Sequence, residues 1–136
     1  MIRKAAMTVL VAGTATLSGC GDAKLNENTA HRFMVQYLYD VECADMTGDK
    51  VASKYAALDG DRDRILSLYQ QERSGIVGIA FKSGFCPQWD MDKQLKISRM
   101  IPDGDGFREQ FENGGQMEPR PERVIMKDGA LKITFQ

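Results

Sequence analysis

Read for the spacing of its apolar and polar positions, the chain changes character twice. Residues 1–19, MIRKAAMTVLVAGTATLSG, start basic, continue apolar or small, and contain no acidic side chain. After the polar stretch GDAKLNEN, the residues Ala30, Phe33, Met34, Tyr37, Leu38 and Val41 recur at i, i+3, i+4, i+7, i+8 and i+11. That is the apolar stripe of an amphipathic helix. Asn28 or Thr29 is placed to cap its start, and Gly48 to stop the segment ending ADMTG. Asp49 can cap a second, shorter helix carrying Val51, Tyr55 and Leu58 and ending at the turn Asp59-Gly60. A third helix, from about Arg62 to Arg73, turns Ile65, Leu66 and Tyr69 to one face, with Leu68 beside them, and Ser74-Gly75 closes it.

Beyond that point the period shortens. IVGIAF (76–81), a nearly continuous apolar run bounded by glycines, predicts a buried strand, and QLKISRMI (94–101) predicts another with Leu95, Ile97 and Ile101 on one face. GFREQF (106–111) places Phe107 and Phe111 together. RVIMKDGALKITF (123–135) predicts two strands about Asp128-Gly129, because a type I′ turn needs positive φ at both central residues. EPRPER (118–123) reads as a surface connection, since Pro119 and Pro121 cannot both sit in a central strand. Helices first and strands afterwards predict an α+β fold: N-terminal helices packed on a curved antiparallel sheet of four to five strands, with residues 29–136 as a single domain. The order of a long helix, two short ones and a curled meander resembles the nuclear transport factor-like, cystatin-related α+β folds of many small bacterial lipoproteins. Over residues 29–136 that resemblance implies a cone between helices and sheet able to hold a small ligand. It carries over no catalytic position.

The leader decides which residues belong to the mature protein. Its apolar core spans about ten residues, against about 20 for a membrane-crossing helix, and its basic, apolar and small segments follow the order of a signal peptide. It ends in Leu17-Ser18-Gly19-Cys20, which resembles the lipobox of bacterial lipoproteins. The resemblance implies cleavage after residue 19, a diacylglyceryl group on the Cys20 sulfur, acylation of the new amino terminus, and residues 20–28 as a lipidated tether. Two or more acyl chains anchor stably, at about 0.8 kcal/mol per buried methylene. Gly21 rather than Asp follows the cysteine, which by the same resemblance implies the outer membrane with the domain in the periplasm, although Asp22 is one position further on.

Cysteine count and charge narrow the classes. Three cysteines in an exported chain leave one unpaired; lipid on Cys20 removes the anomaly. Cys43 and Cys86 then form one structural disulfide closing a loop of about 44 residues, for which chain entropy suggests roughly 4 kcal/mol, or else a redox or catalytic thiol. Of the 18 basic residues the leader takes Arg3 and Lys4, leaving 16 against 19 acidic ones, a formal charge of −3. A weakly acidic protein has no basic footprint for nucleic acid.

Candidate chemistry is sparse. LDGDRDR (58–64) offers Asp59, Asp61 and Asp63, but an EF-hand loop begun at Asp59 needs Gly and Glu where Arg64 and Gln70 stand, so it reads as an acidic helix start. PDGDG (102–106) reads as a β-turn. One histidine, His31, is too few for a zinc site and reads as a surface side chain; no G-x-S-x-G elbow surrounds any serine. No metal or cofactor is expected. Phe85 and Trp89, in SGFCPQWDM, form an interaction patch on a disulfide-held loop or else cap the core. The function expected is non-catalytic binding of an envelope protein or small apolar ligand by a lipid-anchored domain. An enzyme in the cone predicts instead a buried carboxylate with a perturbed pKa in a pocket, and an immunity or exclusion lipoprotein predicts an exposed patch around Trp89 and little pocket volume.

Overall fold

A computed structural model of the chain describes residues 24–136; Cys20 and the signal peptide expected over residues 1–19 lie outside the described residues. Helix α1 (Glu27–Glu42) carries the predicted stripe, with Ala30, Met34, Tyr37 and Val41 buried. Its cap is Asn26 rather than Asn28 or Thr29: Asn26 accepts from the Thr29 N–H, and the Thr29 hydroxyl accepts in return from the Asn26 N–H, a reciprocal capping box. No basic residue lies in the last turn of α1. Its open carbonyls are met from outside by Arg73, whose guanidinium donates to the carbonyls of Asp40, Val41 and Ala44 at 2.7 to 2.9 Å. A cation suits this negative end of the helix dipole.

Helix α2 (Gly48–Tyr55) starts from a Thr47 cap and ends at Ala56, short of the predicted Leu58. Helix α3 (Asp59–Arg73) begins three residues earlier than predicted, so Asp59-Gly60 is its first turn, with Asp61 accepting from the Leu58 N–H. IVGIAF is not a strand. It lies in helix α4 (Gly75–Gly84), which leaves α3 through Ser74 and Gly75, the latter at φ +73°. A strand needs a ladder partner, whereas a helix satisfies its own backbone, and a short apolar run fits either state by periodicity alone. At the corner a Cβ on Gly78 would lie 2.7 Å from the Arg73 carbonyl carbon, so only glycine lets the two helices meet so closely. A 3₁₀ turn (Cys86–Gln88) and helix α5 (Met91–Lys96) follow. QLKISRMI is therefore divided between α5 and the first strand, and Ile97 at the junction is exposed.

Four strands, β1 (Ser98–Asp103), β2 (Gly106–Asn113), β3 (Gln116–Lys127) and β4 (Ala130–Thr134), form an antiparallel meander in that order. The fold is α+β, as the element order predicts. The last hairpin turns at Asp128-Gly129 with φ of 53° and 80°, the positive pair a type I′ turn requires. Segment 118–123 is part of β3 rather than a connection. The prolines are tolerated because β4 pairs only with Arg123–Lys127, so the half of β3 holding Pro119 and Pro121 has a neighbour on one side only, as an edge strand does. The core lies between α1, α2, α3 and the sheet, around Tyr37, Tyr55, Ile65, Val124 and Ile133. Buried Asp40 stays solvated there by protein, accepting from Tyr55 (2.6 Å), Lys54 (3.1 Å) and Gln36 (3.1 Å).

Candidate functional site

An irregularity in the sheet builds the site. Between the pairs Arg108↔Arg123 and Gln110↔Pro119, β2 advances through one residue, Glu109, while β3 advances through Arg120, Pro121 and Glu122. Such bulges re-aim side chains. This one brings the Arg120 guanidinium onto the buried carboxylate of Glu109, and lays it 4.5 Å from the Phe111 ring centroid. Glu122, 4% exposed, turns inward, where the Tyr37 hydroxyl donates to its Oε2 at 3.4 Å while its Oε1 has no partner.

A second stripe on α1, Val35, Leu38, Tyr39 and Glu42, lies beside the core stripe and faces this corner of the sheet. With Phe85, Trp89, Phe111, Glu109 and Arg120 it lines a cleft of about 70 Å³. Trp89 packs on Tyr39 at 4.4 Å between centroids, and Phe85 stacks on Phe81 at 4.6 Å. The disulfide Cys43–Cys86 holds the loop there, with 5.6 Å between Cα atoms. Phe85 and Trp89 both line this cleft, as half-buried walls.

Three carboxylates, Glu42, Glu109 and Glu122, surround one arginine. Burial, with the like charge of Glu72 next, pushes the Glu42 carboxyl up to about 7, so it exchanges its proton near neutrality. Burial also raises Glu122, and raises Tyr37 beyond its ordinary range.

His31 is not a surface side chain. Its Nε2 lies 2.8 Å from the Ser98 hydroxyl, which lies 2.7 Å from Glu109 Oε2. Burial lowers the histidine's pKa against the opposing pull of Glu109. The hydroxyl has one hydrogen to give; donated to the carboxylate, it leaves Ser98 to accept from His31 Nε2–H. The chain runs acid, serine, histidine, whereas activating a serine requires histidine between the other two. These residues tie α1 to the sheet.

LDGDRDR likewise holds no ion-binding loop: Asp61 is turned inward, and Asp59 and Asp63 are exposed on α3. Among the described residues no group of three or more His, Cys, Asp or Glu is placed to hold a metal ion. Sequence reasoning missed Glu42, Glu109, Arg120 and Glu122. Glu42 could have been found as the polar end of the i, i+3, i+4, i+7 series from Val35, whereas Arg120 and Glu122 meet Glu109 only through a bulge that no local pattern announces. Comparison with protein-family models, with curated proteins and with solved structures finds no match to this chain.

Proposed function

We propose that the protein is a bacterial envelope lipoprotein, anchored by lipid on Cys20 and facing the periplasm from the outer membrane, whose domain acts by binding in the Trp89 cleft. The lipobox-like Leu17-Ser18-Gly19-Cys20 supports the anchor. The observation that carries the binding role is the cleft itself: rigid aromatic walls at Tyr39, Trp89 and Phe111 beside polar groups at Glu42 and Arg120. Its 70 Å³ is well below the roughly 300–1,000 Å³ of sites that engulf a whole ligand. It suits one side-chain-sized group, the end of an envelope partner's loop or of a small apolar ligand, with the protonated Glu42 carboxyl as a donor.

The test is a native mass spectrum of the full-length gene product extracted gently from bacterial membranes, set beside Cys20→Ala and Trp89→Ala. The expected species is a lipidated chain starting at Cys20 that carries a stoichiometric companion, released by Trp89→Ala with the lipid retained. A lipidated chain that never carries a companion sinks the binding role. Unlipidated wild-type chain sinks the anchor.

A second reading, acid–base catalysis in the same cleft, is favoured by Glu42 alone, since a carboxyl near 7 is matched to proton transfer at neutral pH. It predicts a companion that the wild type converts and Glu42→Gln only binds.

A further inference from the structure

Helix α4 turns its apolar side outward. Ile76, Val77 and Ile79 are 86%, 82% and 67% exposed, and residues 74–81 hold no charge between Arg73 and Lys82. At about 100° per residue, Ile79, Ile76, Ala80 and Val77 share an arc of roughly 160°, while Gly78 is buried on the opposite side against the end of α3. A contiguous apolar surface of this kind marks a contact.

What covers it follows from where the chain is held, an argument that rests on the proposed lipid at Cys20. Seven residues lead from Cys20 to Glu27, a reach of about 25 Å when extended. Helix α1 has 16 residues, about 24 Å of length, and the disulfide fastens the far end of α4 just beyond its C-terminus. A tether of this length keeps the domain, and α4 one helix length from its attachment, within reach of the bilayer. Lys82, in the last turn of α4, is exposed and suits anionic headgroups.

We infer that α4 is a second membrane contact, with Ile76, Val77 and Ile79 entering the boundary between headgroups and acyl chains of the membrane that holds Cys20. The chemistry is that of a short interfacial helix; no helix among the described residues is long and apolar enough to cross a membrane.

The test places a reporter in the face. Full-length protein carrying Ile76→Trp and Trp89→Phe, purified from bacterial membranes, is reconstituted into phosphatidylethanolamine–phosphatidylglycerol vesicles with or without acyl-chain bromine. Blue-shifted emission that brominated lipid quenches, and that Ile79→Asp on the same background restores, is the expected result. Red-shifted, unquenched emission from vesicle-bound, lipidated protein overturns the second contact and leaves the anchor standing. Unlipidated protein that fails to sediment with vesicles overturns the anchor and this inference with it. Blue-shifted but unquenched emission from a sedimenting dimer overturns the inference in favour of a second copy on this face.

Discussion

At the scale of residues, single buried polar groups hold distant parts of the chain together. Asp61 is 1% exposed and accepts two backbone N–H donors, from Leu58 at 3.1 Å and from Phe135 at 2.8 Å. One carboxylate thus closes the start of α3 and fixes the chain leaving β4. Asp61→Ala strands both donors, and with each unsatisfied buried donor costing about 1–3 kcal/mol the urea midpoint should fall by an amount equivalent to about 2 kcal/mol or more. Asp61→Asn, which keeps one acceptor, should lose less. That Asp61 opens a helix was legible in LDGDRDR; that it also meets Phe135, 74 positions away, was not, because no spacing rule reaches across the fold.

At the scale of elements, α4 is thinly embedded, with Gly78 its only buried residue. Its attachments are the corner with α3, the stacking of Phe81 on Phe85, and the disulfide to the end of α1. Replacing both cysteines with alanine should therefore lower global stability by about 2–4 kcal/mol in chemical denaturation, with α4 losing hydrogen-exchange protection first. An unchanged midpoint would remove the disulfide from the stabilising elements. Periodicity served well where an element has one wet face and one dry face, as in α1 and the Asp128-Gly129 hairpin. It failed at IVGIAF, which became a helix, and the proline rule failed at Pro119–Pro121, which became strand rather than connection; both were decided by whether a partner strand lay alongside.

At the scale of the whole molecule, opposed titrations shape stability near neutrality. Glu42 has a folded pKa of about 7 against an ordinary 4.5, so the native state holds its proton more tightly. Its contribution is most favourable below 4.5 and is lost as pH rises towards 7. His31 is lowered from 6.5, so the unfolded chain binds its proton more tightly and stability falls as pH drops below 6.5. The two oppose each other between about pH 4.5 and 6.5. Glu42→Gln removes the first, and its urea midpoint should fall less than that of the wild type as pH rises from 5 to 7. Parallel profiles would mean that the Glu42 carboxyl titrates at its ordinary value.

The sequence by itself determined the α+β class, the principal helical stripe, the hairpin register and the eligibility of Cys43 and Cys86 to pair. These follow from local periodicity, turn geometry and counting, which a linear chain carries in full. Only the tertiary structure decided that an apolar run becomes a helix with its apolar side outward, that a proline-bearing segment becomes half of a strand, and that Glu42, Glu109, Glu122 and Arg120 share one corner. Those outcomes depend on which neighbours are present to supply hydrogen bonds and exclude water, and neighbours far apart in sequence meet only once the chain has folded.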